Sequence, residues 1–312
     1  MTSPAPLIAV VGSLHYDILV AGDARPRKGE TLFGESWAWK CGGKGGNQAL
    51  EAARHGGRVA FIGAVGRDGF GDALLNRLSA AGISTESVRR LADVGSGMSV
   101  ALFDRSGDYG AVIVPGSNWQ IAADDLAEDQ RLRGCDALLL QNEVRPEINL
   151  AAAMIAKKSG ALVILNAAPA RELPDDLASL IDILVVNEIE AEALSDDGPV
   201  TTLDAAEAAA RTLTSRVATV IITLGGEGLV ACRRGEAPVR VCGHHVPVAS
   251  THGAGDTLIG ALATRLVAGA DLASAARYAN AAAALLVSTP EADRAGLTAG
   301  DTMDFLETAG PA

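Results

Sequence analysis

A chain of 312 residues with a net charge of −12 and a pI near 4.9 is too acidic to have nucleic acid or an anionic membrane as its main partner. Apolar residues make up 48% and charged ones 21%, ordinary for one large globular domain, and no apolar run approaches the roughly 20 residues of a membrane span. Cys41, Cys135, Cys232 and Cys242 form no CxxC pair and the first residues lack a basic n-region, so a cytoplasmic chain with reduced thiols and no zinc site is expected.

In chain order, "LIAVVG" (7–12) reads as a first buried strand. Residues 13–40 hold no helix-length pattern. Within them "TLFGESWAWK" gives Phe33, Trp37 and Trp39 one parity, so a strand there would show all three on one face. The helix "NQALEAARHGG", the strand "VAFIGAV" (59–65) and the helix "FGDALLNRLSAAG" follow. Residues 96–116 again lack a helix and read as two strands joined around Ser106–Gly107–Asp108. Strands "ALLLQ" (137–141), "ALVILN" (161–166), "DILVVN" (182–187) and "VATVIITLG" (217–225) then alternate with "INLAAAMIAKKSG" and "LDAAEAAARTLTSR". Several helices stop at glycine, the usual left-handed cap. This rhythm predicts an α/β fold with a mainly parallel sheet, one domain over 1–312, and a small β-sheet built from 13–40 and 96–116.

Three stretches carry candidate chemistry. In "THGAGDTLIGALATRL", Leu258, Leu262 and Leu266 mark one face of a helix whose first amides are bared by Gly253, Ala254 and Gly255. Such a terminus suits a phosphoryl group in transit, and Asp256, kept ionised by the helix dipole, could take a proton from an attacking hydroxyl. A plain helix start capped by an acid explains the same letters. In "CGGKGGNQALEAARHGG" the glycines allow close approach while Lys44 and Asn47 offer donors, yet no Ser or Thr follows the lysine as a Walker loop requires. In "VVNEIEAEAL", Asn187 and Glu190 stand three apart after a buried strand. They could orient magnesium waters and phosphate, or form a capping box. No G-x-G-x-x-G follows the first strand, which argues against a dinucleotide enzyme.

Taken together, "GGKGGNQA", "NAAPARELP", "VVNEIEAE", "ITLGGEG" and "THGAGDTLIGAL", in this order over nearly the whole chain, resemble the PfkB/ribokinase family of carbohydrate kinases. The resemblance implies a three-layer α/β/α domain with a β lid, and transfer of the ATP γ-phosphate, with magnesium, to a primary hydroxyl of ribose or a similar pentose. It implies Asp256 as catalytic base and Gly253, Ala254 and Gly255 as anion hole. Asn187 and Glu190 would organise magnesium and phosphate indirectly, and Asn187, Thr223, Gly225 and Gly228 would contact the nucleotide. Asp17, Gly43, Lys44, Asn47 and Glu143 would meet the sugar. It also implies a homodimer joined through the lid, with Phe33, Trp37 and Trp39 packed against a second copy; the competing reading has these rings close over the substrate.

The chain departs from the family at several points. Ser250 replaces an aspartate that commonly helps hold a monovalent cation, and "STPEADRAGLTAG" lacks the family's small residues around 288–296, so potassium activation is doubtful. His252, beside the hole, reads as a solvent-facing loop residue. His15 replaces an asparagine before the substrate aspartate and either meets a hydroxyl or packs under the lid. Tyr16 and Met98 would offer a wall suited to a base, which keeps a nucleoside kinase of pseudouridine or adenosine type as the alternative. A non-catalytic sugar-binding protein is the third reading.

Overall fold

Apolar runs that are buried along their whole length form the interior of a nine-stranded sheet. The structure, a computed structural model, describes residues 5–106 and 108–309; Gly107, in the expected lid turn, and the chain ends lie outside them. The described strands begin with β1 (Leu7–Val11), β2 (His15–Gly22), β3 (Gly34–Gly42), β4 (Arg58–Gly66), β5 (Ser84–Leu91), β6 (Met98–Phe103) and β7 (Tyr109–Val114). They continue with β8 (Ala137–Gln141), β9 (Leu162–Asn166), β10 (Ile183–Asn187), β11 (Thr219–Thr223), β12 (Gly228–Arg233) and β13 (Val239–Cys242). The large sheet runs β13-β12-β11-β10-β9-β8-β1-β4-β5, parallel except at β12 and β13.

Side-chain alternation in β1 shows why its run is unbroken. Leu7, Ala9 and Val11 face one apolar core while Ile8 and Val10 face another, so both sides of the sheet are covered. Helices Pro146–Lys158 and Leu203–Leu213 cover the first side with Ala152, Ala156, Ala206 and Ala210. Lys44–Arg54, Gly69–Ala80, Ala254–Val267 and Leu272–Ser288 cover the second. The fold is a three-layer α/β/α sandwich, and Gly56, Gly82 and Gly160 take the left-handed conformation just beyond three of its helices.

The expected off-sheet segments form a four-stranded lid of order β3-β2-β6-β7. Pairing of Asp17 with Lys40 and Ser99 puts these three on one face with Leu19, Ala101 and Ile113. The other face carries Tyr16, Ile18, Trp37, Trp39, Val100 and Val112. Phe33 is not on it with the tryptophans: it precedes β3, beyond a register shift at Ala21/Gly22 that breaks simple parity.

Strands β5, β12 and β13 have no counterpart in the sequence reading. They lie at or near the sheet edges; β5 is only partly buried and rich in polar residues, and β12 and β13 are short, with Arg240 breaking the apolar run of β13.

Candidate active site

Two helices cross with their backbones touching. At Gly260 of Ala254–Val267, a Cβ atom would lie 2.5 Å from the Ala52 nitrogen of Lys44–Arg54. The crossing brings Asn47 and Gln48 to the first turn of the partner helix. There Asn47 donates to one oxygen of Asp256 at 3.0 Å and Gln48 to the other at 3.0 Å. The oxygen of Gln48 accepts in turn from Gln141, at the end of β8, at 2.8 Å. Asp256 is 8% exposed. Its burial raises the carboxyl above the usual range, opposed first by the Lys44 charge and then by the two amides. Burial outweighs these favourable contacts, leaving a carboxylate more basic than an ordinary aspartate.

Gly253 caps this helix with φ 86, a backbone conformation costly for any side chain. Of the following amides, that of Ala254 donates to the Thr251 carbonyl at 3.3 Å, while helical geometry supplies no acceptor for those of Gly255 and Asp256, and a Cβ at Gly255 would meet nothing within 4 Å. Gly253, Ala254 and Gly255 thus form an open, electropositive helix start against Asp256.

At the other end of the cavity the glycines of "CGGKGG" are spaces for specific atoms. A Cβ at Gly42 would fall 1.7 Å from an Asp17 oxygen, and one at Gly43 would fall 2.8 Å from the Ser13 carbonyl. Gly43 also needs φ 83 to start its helix. Close approach lets Glu143 accept from the Lys44 amide at 2.8 Å and from the Ser13 hydroxyl at 2.5 Å, while Ser99 donates to Asp17 at 2.5 Å. His15 is buried, with its Nδ1 3.9 Å from Glu143. His15, Asp17, Gly43, Lys44, Asn47, Glu143 and Asp256 together line one cavity of about 740 Å³. Its lid side carries Asp17, Lys40 and Ser99 and beyond them an apolar stretch of Leu19, Ala101, Phe103, Ala111 and Ile113. His252 is exposed at its rim.

Asn187, Glu190, Thr223, Gly225 and Gly228 do not line this cavity. Asn187 and Thr223 are register partners at the carboxyl ends of β10 and β11. Asn187 and Glu190 form a reciprocal capping box, each side chain accepting from the other's backbone at 2.9 Å. Lys44 links the two regions electrostatically, because its charge also opposes the burial that raises Glu190. Gly225, at φ 50, is open, whereas a Cβ at Gly228 would strike the Val241 carbonyl at 2.0 Å. Gly228 therefore answers to the pairing of β12 with β13.

Tyr16 and Met98 are not a pocket wall. They pair across β2 and β6 on the face opposite Asp17, and Tyr16 is stacked between Trp39 and Phe70 with centroids 4.5 and 4.1 Å away. The same alternation turns Trp37 and Trp39 away from Asp17, and Trp39 instead borders a second cavity of about 360 Å³ with Asn47, Gly253 and Asp256. Sequence reasoning missed Gln48, Gln141, Ser13, Ser99 and Lys40. Gln141 carried a legible signal, one polar residue ending the buried run "ALLLQ"; Ser99 becomes visible only through strand register.

Among the described residues no cluster of three or more His, Cys, Asp or Glu could hold a metal ion. The donor set instead suits a cation carried by phosphate and water beside Asn187 and Glu190. For a nucleotide phosphate, the first-turn amides of Gly255 and Asp256 are the fitting feature.

Residues 5–298 match the pfkB family carbohydrate kinases. The ribokinase of Haemophilus influenzae is 35% identical over 303 residues, covering 97% of this chain and 99% of that protein. A deoxyribokinase of Salmonella typhi is 35% identical over 286 residues, covering 90% and 92%. The structure of Arabidopsis thaliana ribokinase complexed with ribose and ATP superposes with a TM-score of 0.89 at 30% identity, covering 97% of this chain and 99% of that one.

Proposed function

Because the chain belongs to the pfkB family of carbohydrate kinases, phosphotransferases with an alcohol acceptor, we propose that it phosphorylates a primary hydroxyl of ribose or a similar pentose, with Asp256 as base. The observation that carries this reading is the pinned carboxylate itself. Two amides fix both oxygens of Asp256 beside open helix-terminal amides, and the same cavity holds Asp17 and Glu143 at its far end.

In this reading Asp17, Asn47 and Glu143 hold the sugar hydroxyls, with His15 replacing an amide donor, and Gly43 leaves its backbone open to the ligand. ATP supplies the phosphoryl group and magnesium screens its charge when bound. Asp256 takes the hydroxyl proton, aided by the raised basicity that burial confers. The amides of Gly253, Ala254 and Gly255 face the charge that gathers on the transferring group. Lys44 spans the acid and the phosphate side, and Asn187, Glu190, Thr223 and Gly225 border the nucleotide along the carboxyl edge of the sheet.

A single domain over 1–312, a cytoplasmic location and a homodimer through the lid complete the proposal. No helix among the described residues is long and apolar enough to cross a membrane. The lid face turned from the cavity exposes Trp37 and Val112, each 68% open, an apolar patch that a second lid would cover.

ADP release with ATP and magnesium against pentoses, 2-deoxyribose, hexoses and nucleosides tests the substrate. Turnover on ribose is expected. The apolar lid stretch formed by Leu19, Phe103 and Ile113 favours a nucleoside kinase as second reading, and turnover confined to nucleosides would establish it instead.

A further inference from the structure

Arg294 is 9% exposed, and all three nitrogen positions of its guanidinium point at backbone oxygens rather than at an acid. Its Nε donates to the Thr289 carbonyl at 2.9 Å, Nη1 to that of His252 at 2.9 Å and Nη2 to that of Ser250 at 2.7 Å. Ser250 and His252 belong to the loop that delivers Gly253 to the helix start, and Thr289 caps the neighbouring helix Leu272–Ser288. One buried cation therefore ties the anion-hole loop to the next helix. We infer that Arg294 is a built-in replacement for the monovalent cation, a positioning residue that fixes the Ser250–Gly253 loop and makes turnover independent of potassium.

The chain's two departures from its family meet at this point. Ser250 supplies a neutral hydroxyl, which donates to Glu291 at 3.2 Å and accepts from the His252 amide at 3.3 Å, in place of a cation-binding carboxylate. The segment lacking the family's small residues is the one that inserts the arginine. A potassium ion would need carbonyl oxygens that already face a guanidinium, and two like charges sharing one set of carbonyls repel. The residues present do not fit a monovalent cation. A planar guanidinium with several fixed donors does suit three carbonyls at once.

The inference rests on the kinase reading, and its test separates the two. Wild-type enzyme is assayed with Tris-ATP in potassium chloride and in choline chloride at equal ionic strength, and its melting temperature is read in both. Equal kcat within about twofold and melting temperatures within about 1 °C are expected, because a cation that binds only the folded state must stabilise it. Arg294→Ala should lower kcat about tenfold or more in choline, leave the sugar Kd within about twofold, and recover in part with added guanidinium. Potassium activation of the wild type beyond about threefold, a matching rise in melting temperature, or an undiminished kcat in Arg294→Ala would each overturn it. The wild-type comparison decides even if that variant fails to fold. Should no substrate turn over in either salt, the kinase reading falls, while the melting temperatures still decide whether a cation site exists.

Discussion

Gln48 donates to the Asp256 carboxylate at 3.0 Å while its own oxygen accepts from Gln141 at 2.8 Å. Asn47 and Gln48 are neighbours on one helix, yet both reach the same acid, one to each oxygen. Gln141 in turn fits because Gly12 has no side chain: a Cβ there would lie 2.1 Å from the glutamine oxygen. The polar chain runs from the end of a core strand to the proposed base, so its members set where that base points and how readily it ionises.

Replacing Gln48 by Leu removes one donor from the ionised acid and strands the Gln141 amide in the core. A loss of about 1–3 kcal/mol of stability is expected from the unpaired buried group. With one fewer hydrogen bond favouring the anion, the Asp256 carboxyl rises further. The acid limb of the kcat/KM profile should then move to higher pH than in the wild type. Urea titration and a pH–rate profile check the two effects, and an unmoved limb would separate Gln48 from the tuning of Asp256.

Asp256→Asn should lower kcat ~100-fold or more with substrate affinity nearly unchanged, the pattern of a lost general base. The base works deprotonated, and burial raises its folded-state pKa. Wild-type activity should therefore fall with acid at a pH above the ordinary carboxylate range. Calorimetric binding beside steady-state rates checks the variant. Wild-type turnover in it would remove Asp256 from the reaction.

The strands of the sheet interior were legible because burial on both faces leaves an unbroken apolar run, as in Leu7–Val11. The edge strand Ser84–Leu91 was not, since one side meets solvent and its letters include three charges. At the site, Asp256 and its glycines stood out because a helix start needs few residues and they are consecutive. Gln48 and Ser99 did not, because their role comes from a helix crossing and a strand register that bring together residues 208 and 82 positions apart. Tyr16 was misplaced for the opposite reason. Its neighbours His15 and Asp17 line the cavity, and adjacent strand residues face opposite ways. Arg294 is visible in sequence only as a charge within a loop; the carbonyls it meets are set by the fold.

Gly42→Ala should act on the sugar end alone. The added methyl would sit 1.7 Å from an Asp17 oxygen, so that carboxylate must leave its place beside Ser99. The sugar KM should rise about tenfold or more while the ATP KM stays within about twofold, as expected when one hydrogen-bonding group loses its geometry. Initial rates with each substrate varied in turn check this. A parallel rise in both constants would place Asp17 elsewhere than at the sugar.

Trp37→Asp tests the lid face. The ring is 68% exposed on the sheet face opposite the cavity, so a charge there costs the isolated chain little. A lid-to-lid dimer would have to bury that charge, and at micromolar concentration sedimentation should show the wild type as a dimer and the variant as a monomer. A wild-type monomer would leave the patch without the partner proposed for it.

His55 makes the fold itself pH-sensitive. Its Nδ1 lies 2.8 Å from the Tyr278 hydroxyl, the ring is 7% exposed, and burial lowers its pKa from 6.5 to about 4, helped by Arg54 and Arg265. A depressed histidine is neutral in the folded chain while the unfolded chain takes up a proton below pH 6.5. Stability from this group is therefore complete above pH 6.5 and is lost as pH falls toward 4, by about 2–3 kcal/mol at pH 4.5. Glu51 and Glu190, raised by burial, act in the opposite sense. For that reason the comparison is with His55→Gln, which shares every other group and keeps an acceptor for the tyrosine. Urea unfolding at pH 7 and 4.5 should show the wild type losing about 2 kcal/mol more than the variant across that interval. Equal losses would mean that the ring protonates within the fold and that its burial carries no such cost.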